Sequence, residues 1–234
     1  MKSNEQLKTV KNKELAKKKL IWAVGEVFRT KGFSGLKISR IARYAEVDRK
    51  YVYRYFKGGL NALIEAYVTE HDYWMAFKDV LNEVAKENGG KNVRGLIVAI
   101  LQNQFRYFYT EKDMQRLILL EITEQNQMMR SIHNAREAQG QKFLELADPY
   151  FEGTSVDIRA IAALLVSGIY YTVLHARFNG GMISDIDINT ESGRDNILKA
   201  LEQIVGWAFE EAQDEKSLKA NSNKAGKISD PTED

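Results

Sequence analysis

Only two prolines, Pro149 and Pro231, stand in 234 residues, and no other residue stops a helix so firmly. In the long stretches they leave, apolar residues recur at i, i+3, i+4 and i+7. No run of strict alternation is long enough to suggest a strand. The expected fold is all-α, with about nine helices set off by glycine breakers. A first helix is predicted over 13–31, where Leu20, Val24, Val27 and Phe28 form one apolar stripe and Gly32 supplies a C-terminal cap. A short second helix carries Ile38, Ile41, Ala42 and Ala45. After Glu46-Val47-Asp48, a third runs from Arg49 to about Phe56. Gly58-Gly59 precede a fourth from Leu60 to near Lys86, and Asn88-Gly89-Gly90 mark the next stop. Further helices are predicted over 92–109, 112–123 and 125–147, the last ending before Pro149. Two more follow over 157–178 and 193–213, around a Gly180-Gly181 loop. Residues from Lys216 onward lack apolar periodicity and read as a disordered tail.

Charge divides the chain. Residues 1–60 hold 16 Lys and Arg against 5 Asp and Glu, a net charge of +11; the remainder holds 18 against 27, a net of −9. A basic head on an acidic body suggests that only the head meets a polyanion, although residues 1–19 alone could be a solvated lysine-rich tail. The expected organisation is a flexible basic N-terminus (1–12), a compact head (13–59), a helical body (60–215) and a tail (216–234).

Several functions are disfavoured. With no cysteine there is neither a disulfide nor a thiolate metal site. His71, His133 and His175 lack metal-ligand spacing, and the Gly58-Gly59 and Gly89-Gly90 pairs do not form a phosphate-cradling loop. No cofactor and no enzymatic activity are expected. Residues 1–19 carry no secretory signal. The uncharged stretch from Ala160 to Ala176 falls short of the roughly 20 apolar residues that span a bilayer, so the chain is placed in the cytoplasm with no membrane partner.

The head reads as a helix-turn-helix. Two helices of about two turns each cannot stand alone, and the first helix covers their apolar faces. Val47 is the plug between them, and Asp48 is suited to cap the third helix. On that third helix Val52 and Phe56 lie together and face the core. Lys50, Tyr53, Arg54 and Lys57 share the opposite stripe, flanked by Arg49 and Tyr51. Cations among tyrosines suit a DNA groove, where they meet phosphates, sugars and thymine methyls. A solvated basic helix is the alternative.

The residues Leu20 to Phe28, Gly32-Phe33, Ile38-Ser39-Arg40-Ile41-Ala42, Val47 and Val52-Tyr53-Arg54-Tyr55-Phe56 resemble the TetR family of transcriptional regulators, over roughly residues 18–65. The resemblance implies a homodimer, each third helix in a major groove of double-stranded DNA, and a palindromic operator. By position it places Lys37 and Ser39 against the DNA backbone at the start of the second helix. Arg49, Lys50 and Tyr51 fall at the base-reading start of the third. Tyr53 and Tyr55 match backbone-contacting aromatics, and Arg54 stands where His or Trp is common. The chain departs from the family pattern at Leu36-Lys37, where Ser or Thr is usual, and at Glu46, where the turn commonly has glycine. It also departs at Lys50, usually a small residue, and at Gly59, usually a phosphate-gripping lysine that Lys57 or nearby backbone amides would have to replace.

In the body, the helix over 157–178 has two apolar stripes. One is Ile158, Ile161, Ala162, Leu165, Ile169 and Val173; the other is Leu164, Ser167, Gly168, Tyr171 and Leu174. With Leu201, Ile204, Val205 and Ala208 of the last helix, a four-helix bundle from two protomers is expected, with Ile161, Leu165, Gly168 and Ile169 at the interface. Burial within one monomer is the alternative. Trp74, Phe77, Phe105, Tyr109, His133, Tyr170 and Tyr171 are candidates to line a pocket for a small, largely hydrophobic effector, although plain core is open for each of them. Such a ligand would release a repressor from its operator. A regulator without a small-molecule inducer, or a helical interaction module, remains open.

Overall fold

A computed structural model describes residues 4–76, 92–123 and 127–228. The described residues are helical, as the periodicity predicts: α1 (Asn4–Lys31), a 3-10 turn (Phe33–Gly35), α2 (Ile38–Ala45), α3 (Lys50–Tyr55), α4 (Leu60–His71), α5 (Tyr73–Ala76), α6 (Val93–Thr110), α7 (Lys112–Thr123), α8 (Gln127–Phe151), α9 (Ile158–Phe178) and α10 (Glu191–Ile228). The chain divides into two compact units, residues 1–76 with 111–137, and residues 77–110 with 138–234. The first unit takes in, besides the expected head of residues 13–59, α4, α5, α7 and the first part of α8.

The core of the first unit grows from the predicted stripe. Leu20, Val24 and Val27 of α1 meet Ile41 and Ala45 of α2, Val52 and Phe56 at α3, and Leu63, Ile64, Tyr67 and Val68 of α4. Leu117 of α7 and Met129 and Ile132 of α8 complete the same cluster. Ion pairs reinforce it. Arg29 of α1 pairs with Asp113 of α7, which also holds Arg116 at 3.1 Å. Burial pushes the Tyr67 hydroxyl far above its ordinary pKa, and the neighbouring Asp113 charge adds to this.

In the second unit α6 packs on α9 and α10. The side-chain bonds give the registers. Gln104 meets Tyr170, and Arg177 meets the Tyr109 carbonyl, so α6 and α9 run parallel. Arg94 meets Glu210 and Gln102 meets the Leu198 carbonyl, so α6 and α10 run antiparallel. The α9–α10 connection is a tight hairpin in which Ile183 and Ile186 exchange backbone bonds and Ser184 and Asp185 both have positive φ.

Several element boundaries differ from the sequence expectation. α1 begins at Asn4 rather than 13. α8 runs through Pro149 to Phe151. Proline removes a single ladder bond so near the helix end, and Lys216 Nζ donates to its carbonyl at 2.8 Å. α10 continues past Lys216 to Ile228. Glu215 accepts the Ser155 N–H at 2.9 Å, and Lys219 reaches the Gly153 carbonyl at 2.6 Å, so polar contacts hold a segment that has no apolar stripe.

Candidate nucleic-acid interface

Glu46, at the end of α2, adopts a left-handed conformation (φ 54°, ψ 42°), and its N–H returns to the Ala42 and Arg43 carbonyls. A side chain at such angles is strained, whereas glycine adopts them freely. Val47 packs half-buried against the head core. Arg49 stands at the N-cap of α3 and makes no side-chain cap bond. Asp48, one residue earlier, supplies the acceptor instead, its Oδ1 taking the Lys50 N–H at 2.9 Å. That backbone bond, with the Lys50 charge, holds the Asp48 carboxyl below its ordinary pKa.

α3 is anchored by one face. Val52 is fully enclosed and Phe56 nearly so. Arg49, Lys50, Tyr53, Arg54 and Lys57 are exposed, with Tyr53 at 63% of its surface. Tyr51 and Tyr55 differ from the expectation of outward aromatics. They are half-buried against the core and stacked on each other, ring centroids 5.3 Å apart. Lys50 Nζ lies 5.5 Å from the Tyr51 ring centre, and Arg54 lies 6.0 Å from that of Tyr55. The stacked pair thus carries two cations. Lys50 is also 3.5 Å from Asp48, which offsets part of its charge.

Lys37 and Ser39 are exposed at the start of α2. Lys37 is the N-cap and has no side-chain acceptor to offer, so the cap makes no side-chain bond. Sequence reasoning passed over Arg43, exposed one turn beyond Ser39; an i, i+4 pairing with Ser39 was the available signal. Arg40, by contrast, is committed to the Gly35 carbonyl at 2.8 Å. Gly59 stands at φ 66°, ψ −126°, and a Cβ there would lie 3.4 Å from Tyr53 Cε1. Its conformation therefore sets both the start of α4 and the floor under the Tyr53 ring.

The effector candidates divide between the units. Phe77 lies outside the described residues. In the first unit Trp74 is buried, stacked edge-on with Tyr73. His133 is exposed, its Nδ1 2.9 Å from Glu121. In the second unit Phe105 is fully enclosed. Tyr109 contacts two guanidinium groups, Arg177 at 4.2 Å and Arg194 at 5.1 Å from its ring centre. Tyr170 is half-buried, edge-on to Phe108 and bonded to Gln104 at 2.9 Å. Tyr171 faces outward. An open groove of about 540 Å³ lies where α8 meets α9, lined by residues such as Glu145, Asp148, Ser155 and Arg159, and by none of these aromatics.

The expected interface stripe needs correction. Ile169, Leu201, Val205 and Ala208 are buried in the protomer's own core, and Ile161, Leu165 and Ile204 are half-buried. Because α6 occupies that side of α9 and α10, the outward face is most of the other stripe, whose Leu174 is itself buried. It comprises Leu164, 74% exposed, with Ser167, Gly168, Tyr171 and Phe178, and Trp207 of α10 is exposed as well. α9 is long and apolar enough to cross a membrane by length and composition, and only 22% of its most apolar stretch is buried within the protomer.

Residues 23–67 match the family model for bacterial regulatory proteins of the tetR family. A curated relative, the Bacillus subtilis (strain 168) protein YttP, named as a probable HTH-type transcriptional regulator, is 25% identical over 116 residues. The match covers 50% of this chain and 55% of that relative, so the likeness spans about half of each. A solved Clostridium perfringens structure that carries the name of a fatty acid metabolism regulator superposes with a TM-score of 0.57 at 14% identity. It covers 80% of this chain and 96% of its own, a likeness of fold.

Proposed function

We propose, from the match of residues 23–67 to the tetR family of bacterial regulatory proteins, that the chain is a cytoplasmic homodimeric repressor that reads a palindromic operator and is released by a small, largely hydrophobic effector. The observation that carries the DNA reading is α3 itself. Val52 and Phe56 lock one face into the head, so Arg49, Lys50, Tyr53, Arg54 and Lys57 must point outward. In a groove, Arg49 and Lys50 would meet base edges while Tyr53, Arg54 and Lys57 meet the backbone. Lys37, Ser39 and Arg43 would add phosphate contacts from α2, and Tyr51 and Tyr55 would pack on sugars.

Two such helices serve one duplex only when held about 34–36 Å apart. The dimer reading is supported by the exposed row Leu164, Gly168, Tyr171 and Phe178, spaced by four, three and seven residues as a helix–helix seam requires. A self-complementary apolar face of this kind suits a second copy. The effector would act by its differential affinity for two spacings of the heads. An ungated or protein-controlled regulator is favoured by one observation: Phe105 and Tyr109 are already engaged within the protomer.

The test is operator binding by fluorescence anisotropy, using DNA that flanks the protein's own coding region. Arg49→Ala, Lys50→Ala and Tyr53→Ala should each weaken binding while leaving the dimer intact. Each lost phosphate contact should also lower the salt slope by about one. Unchanged affinity in all three variants refutes the assignment.

A further inference from the structure

The helix behind the recognition helix is broken, and neither proline nor glycine breaks it. Periodicity predicts a single helix from Leu60 to near Lys86, yet α4 stops at His71 and α5 starts at Tyr73. The stop is Asp72, at φ −87° and ψ 129°. Its own N–H still bonds the Val68 carbonyl at 2.8 Å, so the ladder of α4 is intact up to this residue. Its Oδ1 then accepts the Trp74 N–H at 3.0 Å, as an N-cap for the second helix. Its Oδ2 accepts Arg136 Nε at 2.8 Å.

Both partners are enclosed. Asp72 is fully buried and the Arg136 side chain is 6% exposed. Arg136 also donates to Glu121 Oε2 at 2.6 Å, and Glu121 is 2.9 Å from His133. A dehydrated carboxylate holds its place only while paired and hydrogen-bonded. Asp72 therefore favours the broken form through its bond to backbone and its pairing with Arg136. A continuous helix would forfeit both, and would instead send the Trp74 N–H to the Glu70 carbonyl, the regular i−4 partner.

We propose that Asp72 and Arg136 form a conformational latch. It holds the helix behind the DNA-reading face in its broken form, and that form is the one competent to bind the operator. Release converts Leu60–Ala76 to one continuous helix and lowers operator affinity, because a head that spends less time in the competent form binds more weakly by that fraction. The functional half rests on the DNA-binding reading; the two-state helix does not.

Asp72→Ala in the full-length dimer is the test. It removes the cap and the latch together while leaving Arg136 paired to Glu121. In protein labelled with 13Cα-alanine, the resonance that this variant adds should show a helical shift, and operator affinity should fall at least fivefold. Asp72→Asn keeps the acceptor for Trp74. It turns an uncharged NH2 group toward Arg136 and so removes the ion pair alone; position 72, read with labelled asparagine, should shift partway toward helix, and affinity should fall by less than in Asp72→Ala. A non-helical shift for the added resonance of Asp72→Ala overturns the latch, as does a helical shift with unchanged operator affinity. An Asp72→Ala protein that circular dichroism finds unfolded also overturns it, since the continuous state must be foldable. Parental protein that binds no flanking DNA refutes the regulator reading instead, and the added alanine resonance still decides whether the helix has two states.

Discussion

Replacing Gly59 asks whether the residue that departs most from the family pattern is there for its conformation. At φ 66° and ψ −126° it occupies backbone space open essentially to glycine. Forcing a side chain to remain there costs about 1–3 kcal/mol. The added Cβ would sit 3.4 Å from Tyr53 Cε1, an ordinary contact, so sterics contribute little. Against the strain stands the reduced freedom of the unfolded chain, about 0.4–1 kcal/mol in favour of alanine. The net expectation for Gly59→Ala is a loss of about 1–2 kcal/mol, or a fall in Tm of about 2–8 °C for a chain of this size. Urea unfolding at fixed protomer concentration measures it. Gly59→Lys, which restores the family's usual residue, should lose similar stability and should not tighten operator binding, because the strain is relieved only by moving the start of α4 and the Tyr53 ring. A Gly59→Lys protein with parental stability and a tighter operator complex would refute this reasoning.

Four other outcomes are expected. Glu46→Gly relieves the left-handed turn and should stabilise the head by about 0.5–1 kcal/mol in urea unfolding. Gly168→Ala meets nothing within 4 Å in the protomer, so helix propensity should favour it by up to about 1 kcal/mol. If Gly168 lies in a close helix–helix seam, sedimentation equilibrium should nevertheless show a weaker dimer. Asp48 has its carboxyl pKa lowered, chiefly by the Lys50 N–H, so its contribution is full above about pH 4 and fades as pH falls through the lowered value. The Tm gap between parent and Asp48→Ala should close over that range. Tyr73 is pushed up to about 12 by burial. The stability tied to its neutral form is complete below about pH 10 and is lost as pH rises toward 12, so Tyr73→Phe should flatten the alkaline arm of the stability curve.

The helix-turn-helix was legible because its signals are local. The stripe Leu20, Val24, Val27 and Phe28, the inward pair Val52 and Phe56, and the outward row Lys50, Tyr53, Arg54 and Lys57 all follow from a repeat of 3.6 residues. The structure keeps each of them on its expected face. Local reasoning failed where two solutions shared one pattern. α9 has two apolar stripes of similar quality, and the interface residues expected from sequence drew on both: Ile169 is buried in the protomer, whereas Gly168 is exposed. Which stripe faces the protomer depends on where α6 lies, and no spacing within α9 records that. Tyr51 and Tyr55 went astray for a related reason: their stacking on each other against the core is a contact between side chains, invisible to helical phase.

What the sequence determined by itself was the helical class, the basic head and the side of the third helix available to DNA, since periodicity, charge and breakers are properties of short segments. The tertiary structure decided the rest: α7 and the start of α8 joined to the head, the break at Asp72, and the outward stripe on α9. Each of these depends on a partner far along the chain, Asp113 for Arg29, Arg136 for Asp72, α6 for α9. Burial and ion pairing are relations between segments, and they come into being only when the chain has folded.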